Sequence, residues 1–123
     1  MINCEKVWIL EENFVKSYIE KTQTEEIPVH VEAEYAPNKD ETIKNAKLEM
    51  YMEVGEKDST EYPFYFKIKL AGIFGWDEES KEEAENKILT EGREILYSFI
   101  RTYFYEMLNR ADMNAVVLPT LED

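Results

Sequence analysis

Apolar and polar positions alternate along three stretches of the chain. Val29, Val31, Ala33 and Tyr35 interleave with His30, Glu32 and Glu34. Leu48, Met50, Met52 and Val54 interleave with Lys47, Glu49, Tyr51 and Glu53. Phe64, Phe66, Ile68 and Leu70 interleave with Tyr65, Lys67, Lys69 and Ala71. A period of two is the signature of a strand with one buried and one solvated face, so each stretch is read as a strand. From Lys6 to Ile19 the parity is mixed: Trp8, Leu10, Phe14 and Tyr18 share one side, and Val7, Ile9, Val15 and Ile19 the other. β-Branched and aromatic types dominate there, which predicts a strand with a bulge near Glu12 or Asn13. Glu20 to Glu26, the cluster Ala36 to Glu41 and Gly55 to Thr60 read as connections. Four consecutive strands with short links predict an antiparallel sheet.

After Trp76 the pattern changes. The acidic run around Ser80 supplies a cap and first-turn carboxylates for a helix. Gly92 predicts a kink or a division into Glu78 to Glu91 and Arg93 to Arg110, and the residues from Ala111 on read as an extended tail. On the second segment Leu96, Phe99, Ile100, Tyr103, Phe104, Met107 and Leu108 spread over about 220° of the helix, while lying on one sheet needs about 100°. The surplus calls for a second cover. A fold-back of the tail is one candidate; another copy of the chain is favoured, because so short a tail covers only part of such a helix. Leu96, Ile100, Tyr103, Phe104, Met107 and Leu108 are therefore the expected oligomer interface.

Length and composition narrow the function. The 123 residues fit a single domain spanning 1–123, and 44% hydrophobic residues suffice for a core. Against 14 Lys and Arg stand 27 Asp and Glu, a net charge of −13, which disfavours nucleic acid and anionic membranes as partners. No apolar run is long enough to cross a bilayer and Glu5 interrupts the amino-terminal stretch, so no direct membrane insertion is expected and the cytoplasm is the expected location. One cysteine, Cys4, and one histidine, His30, leave little for metal or nucleophilic chemistry; the two paired as nucleophile and base are the only catalytic candidate, and a surface histidine is the plainer reading. The carboxylates from Asp77 to Glu85 lack the spacing of a calcium loop, and four glycines form no phosphate-cradling loop. No cofactor and no catalytic activity are expected; a small enzyme of unknown chemistry is the outside alternative.

Ala71-Gly72-Ile73-Phe74, then Ile95-Leu96-Tyr97 with Phe99 and Arg101, then Asn109-Arg110-Ala111-Asp112-Met113 leading to Val116-Val117-Leu118-Pro119 resemble, in order and spacing, the SecB export-chaperone family. The resemblance spans roughly Trp8 to Thr120 and is most specific from Leu70 to Leu118. It implies an α+β fold: a four-stranded antiparallel sheet with carboxyl-terminal helices packed on one face, assembled as a dimer of dimers through those helices; with the surplus apolar surface, a dimer or tetramer is the expected homo-oligomer. It also implies an ATP-independent holdase that binds unfolded polypeptides or preproteins for export and hands them to the translocase motor ATPase. The alternative within the same fold is a dedicated chaperone for one partner, such as an antitoxin or a phage protein. Several positions depart from the family pattern: Gly92-Arg93 replaces a Cys-Pro, Ser98 a proline, and Lys67 an acidic residue of the motor-docking patch, with Tyr65 beside it. The chain also ends at Asp123, where longer members continue into a helix and a basic, metal-binding tail. Apolar residues outside the regular alternation, Ile27, Ile73, Phe74, Trp76, Val116 and Leu118, are the expected client-contact surface.

Overall fold

A computed structural model describes residues 1–16, 27–58, 62–77, 80–113 and Leu118. Four strands form one antiparallel sheet: β1 (Ile2–Lys16), β2 (Val29–Pro37), β3 (Asn45–Val54) and β4 (Phe64–Trp76), in the order β1-β4-β3-β2. They are followed by helix α1 (Lys81–Lys87), a π-helical turn (Ile88–Gly92) and helix α2 (Arg93–Arg110). The alternation on the two central strands decides the layers. Ala46, Leu48, Met50, Met52 and Val54 of β3 and Phe64, Phe66, Ile68, Leu70 and Phe74 of β4 are buried on one face, and α2 lies over that face. Each of the larger side chains, Ala46 apart, contributes about 1.5–3 kcal/mol when taken from water, so this layer holds α2 to the sheet.

β1 explains its own mixed parity. Its pairing with β4 shifts register between Cys4 and Lys6 and again between Ile9 and Glu11, so Glu5 and Leu10 are the extra residues. The bulges lie there and not at Glu12 or Asn13, as the sequence pattern implied. Each extra residue reverses the pleat. Cys4 and Phe14 thus share the inward face with the odd-numbered Val7, as their partners Phe74, Phe66 and Gly72 require. β2 pairs with β3 from Val29↔Val54 to Pro37↔Ala46, so Ala36 and Pro37 belong to the strand and the turn begins at Asn38.

The helical part starts at Ser80, whose Oγ accepts from the Glu83 N–H at 3.3 Å, with Glu82 and Glu83 in the first turn. The expected start at Glu78 falls outside the described residues, as do the loop at 20–26 and most of the tail. The weakness expected at Gly92 takes the form of the π-helical turn, which widens the helix before α2 begins. Gly72 lets this junction lie close to the sheet: a Cβ there would stand 2.9 Å from Leu96 Cδ2, whereas one on Gly92 would make ordinary contact, 3.5 Å from Leu48 Cδ2. At the far end of α2, Lys16 Nζ donates to the Ala111 carbonyl at 2.8 Å, tying the end of β1 to the helix terminus. There a cation also meets the negative end of the helix dipole.

Candidate functional site

The expected interface residues divide by geometry. Leu96, Ile100, Phe104 and Leu108, four residues apart, are fully buried against the chain's own sheet, and Phe104 packs on Phe64 and Phe66 at ring-centroid distances of 5.7 and 5.2 Å. A side chain filling its own core offers no surface to a second copy, so these four are corrected to core residues. The next stripe on α2, one residue earlier at each step, is Ile95, Phe99, Tyr103 and Met107. Phe99 is 41% exposed, and the other three are partly buried. Tyr103 and Met107 thus lie on an outward apolar stripe, together with Ile95, which the sequence reading did not assign, and Phe99. The signal that identifies this stripe is the paired four-residue spacing: two apolar rows on one helix, of which only one can face the sheet.

The expected client-contact residues do not form one patch. Phe74 is fully buried in the core beneath α2, because β4 continues through it to Trp76 instead of ending before it. Leu118 is 5% exposed, packs on the core and donates its N–H to the Tyr105 hydroxyl at 3.4 Å. Both are corrected to core positions. Ile73 is partly buried on the opposite face of the sheet, between Lys6 and Lys47 in register. Ile27 and Trp76 are partly buried against the core at opposite ends of the sheet: Val29, two residues after Ile27, is level with Phe66, which lies about 33 Å along β4 from Trp76 at the usual strand rise. Val116 lies outside the described residues.

Trp76 lines a cleft of about 110 Å³ with Ile43, Pro37, Lys44, Lys81 and Glu41. The turn between β2 and β3 is fixed by its own hydrogen bonds. Asp40 N–H donates to Asn38 Oδ1 at 2.9 Å, and Asp40 Oδ1 accepts from the Thr42 N–H at 3.0 Å and the Thr42 hydroxyl at 2.6 Å. These two bonds from Thr42 hold the Asp40 carboxyl below its usual range. The turn carries Ile43, which is 47% exposed.

The face of the sheet opposite α2 is polar and concave, with a hollow of about 820 Å³ lined among others by Glu11, Glu32, Glu34, Glu49, Lys67 and Lys69. Ion pairs cross it: Lys67 to Glu11 at 2.9 Å, Lys69 to Glu49 at 3.6 Å and Lys47 to Glu49 at 3.3 Å. Glu34 stands opposite Glu49 in register, a like-charge pair that costs the sheet stability. Tyr65 and Tyr51 both donate to Glu53 Oε2, at 2.7 and 3.0 Å. The bond from Tyr65, and then that from Tyr51, pulls the Glu53 carboxyl below its ordinary range. Burial, and then the bond to Glu53, pushes the Tyr51 phenol up to about 12. His30 lies on this face at the β2 edge, 2.8 Å from Glu32. Cys4 lies on the other edge strand, on the opposite face, with its thiol pushed up by burial, so the Cys4–His30 pair is not assembled. No helix among the described residues is long and apolar enough to cross a membrane.

The described residues thus form a four-stranded antiparallel sheet backed by one long helix that carries a second, partly exposed apolar row. The family model described as preprotein translocase subunit SecB matches residues 9–122, and the chain belongs to the SecB family. Among solved structures, the Mycobacterium tuberculosis Rv1957 SecB-like chaperone, in complex with a ChAD peptide from the Rv1956 HigA1 antitoxin, is similar with a TM-score of 0.71 and 16% identity. That likeness covers 98% of this chain and 88% of the other. A protein of unknown function from Streptococcus agalactiae is similar with a TM-score of 0.52 and 17% identity, covering 98% of both chains. At these identities the likeness shows the fold. No curated protein matches the chain in sequence.

Proposed function

We propose that this chain is an ATP-independent holdase that keeps polypeptides unfolded, preproteins for export among them, and works in the cytoplasm as a homo-oligomer. The observation that carries the reading is the SecB family match over residues 9–122, joined to a helix whose second apolar row, Ile95, Phe99, Tyr103 and Met107, is only partly covered, with Phe99 41% exposed. That row fits a seam between copies, and a closed dimer or tetramer removes it from water. Clients then meet partly exposed apolar groups, with Trp76 and Ile43 the best placed of them. Hand-over to the translocase motor ATPase belongs to the same reading, with the concave acidic face as the docking surface. Lys67, Lys69 and Lys47 neutralise part of that face, which leaves Glu32 and Glu34 near its β2 edge as the contacts for a basic partner.

A second reading is favoured by one comparison: a SecB-like chaperone of the same fold is bound to a peptide from an antitoxin. On that reading the chain serves one dedicated partner. The two are separated by identifying the polypeptides that co-purify with the tagged protein: many unrelated preproteins support general export, and one recurrent partner supports the dedicated role. Recovery of the intact, active protein with no bound polypeptide in either stalled-export or normal cells contradicts both.

A further inference from the structure

The geometry points to a specific subsite: we infer that the cleft between Trp76 and Ile43 takes one aromatic or branched aliphatic side chain of an extended client whose adjacent residue is a carboxylate. The inference rests on the client-binding reading above and names the chemistry one part of that surface selects.

Three observations carry it. The first is rigidity. The Trp76 backbone is fixed by its amide N–H, which donates to the Lys44 carbonyl at 3.2 Å, and the Asn38–Ile43 turn is closed by the Ile43 backbone N–H donating to the Asp40 carbonyl at 3.1 Å. The main chain beneath the indole and the exposed isoleucine is thereby held on either side of the opening, so a ligand entering it has only their side chains to order. The second is size. A cleft of about 110 Å³ admits a single side chain and no folded element. Pro37, Ile43 and Trp76 supply its apolar surface.

The third is charge. Lys44 and Lys81 are at the rim, with Glu41 the one carboxylate among the lining residues. Lys44 Nζ donates at 2.6 Å to the Asp77 carbonyl, a neutral acceptor, so its charge is not cancelled there. The Asp77 carboxylate faces the Met1 amino group at 3.7 Å. Neither lysine has a carboxylate within ion-pair distance among the described residues. Within a chain of net charge −13, an apolar opening with more ammonium than carboxylate at its rim is complementary to an apolar side chain beside Asp or Glu. Exposed ion pairs of this kind change affinity by roughly 3- to 5-fold.

Two short blocked peptides, Gly-Ser-Phe-Asp-Ser-Gly and Gly-Ser-Phe-Lys-Ser-Gly, titrated into a Trp8→Phe variant while Trp76 emission is followed, test the inference. The Asp peptide is expected to saturate the Trp76 response at a concentration roughly 3- to 5-fold lower than the Lys peptide. That preference should disappear in about 1 M salt, and in the Lys44→Ala, Lys81→Ala variant. Ile43→Ser, a change at an exposed position that leaves the fold intact by circular dichroism, should weaken both peptides. No Trp76 response to either peptide, equal affinity for the two, or undiminished binding in Ile43→Ser overturns the subsite. The same preparation is assayed for suppression of aggregation: suppression without a peptide response at Trp76 removes the subsite alone, whereas absence of suppression removes the holdase reading and leaves the peptide titration to judge the cleft.

Discussion

Tyr65 places its hydroxyl 2.7 Å from Glu53 Oε2, across the β3–β4 pair, and Tyr51 supplies a second donor to the same oxygen at 3.0 Å. Two phenols on one carboxylate oxygen fasten the outer face of the two central strands, where no helix covers them.

This arrangement gives the fold an acid-sensitive contribution. The Glu53 carboxyl is lowered in the folded state from a reference of 4.5, so its contribution is present above that pH and is lost as pH falls through the folded value. Chemical denaturation of wild type and Glu53→Gln should show Glu53→Gln less stable at neutral pH and the difference narrowing below about pH 4.5. A difference that is constant down to acid pH contradicts the assignment. On the alkaline side Tyr51 is raised to about 12, so the stability it contributes is complete below pH 10 and falls as pH rises toward 12. Tyr51→Phe should flatten that limb.

Gly72 and Gly92 lie at the same helix–sheet junction and should respond to alanine in opposite directions. At Gly72 a methyl would stand 2.9 Å from Leu96 Cδ2 and 3.0 Å from Phe74 Cε2, both buried, so Gly72→Ala is expected to cost about 1–3 kcal/mol. At Gly92 the nearest atoms are 3.4–3.5 Å away and the backbone is already helical, so Gly92→Ala is expected to be neutral or to stabilise by up to about 1 kcal/mol. Thermal melts of the two variants check this; a Gly72→Ala protein as stable as wild type contradicts the close packing.

On the proposed assembly, the two rows on α2 should respond differently to a charge. Phe99→Glu replaces a half-exposed side chain and should leave a folded, smaller particle by light scattering, with helix content unchanged. Phe104→Glu puts a carboxylate into the layer between Phe64 and Phe66 and should unfold the chain, at a cost of at least about 3 kcal/mol. A Phe99→Glu protein of wild-type mass contradicts the seam on that row.

The strand pattern is readable because β3 is buried on one face only and β4 nearly so between Phe66 and Leu70, where Lys67 and Lys69 take the other face, although Tyr65 and Ala71 are buried on that face too. β1 was legible as a strand, but its bulges were misplaced: apolar residues on both sides of an edge strand do not say where the pleat reverses, and only pairing with β4 puts the extra residues at Glu5 and Leu10. On α2 the surplus of apolar residues was visible while its division was not. Both rows have the same chemistry, and the sheet chooses Leu96, Ile100, Phe104 and Leu108 only through the direction in which α2 leaves the π-helical turn. Phe74 lies outside the apolar–polar alternation of Phe64 to Leu70, and only the continuation of β4 to Trp76 places it in the core. The cleft at Trp76 and the shared acceptor Glu53 required three-dimensional register, and no local pattern announces either.

Passive binding of non-native chains is tested most directly by light scattering of a chemically unfolded model protein diluted into buffer with and without this protein. Suppression of aggregation at near-stoichiometric amounts, equal in the absence and presence of ATP, is the result predicted. Aggregation that proceeds unchanged, or that is suppressed only when ATP is added, would contradict it.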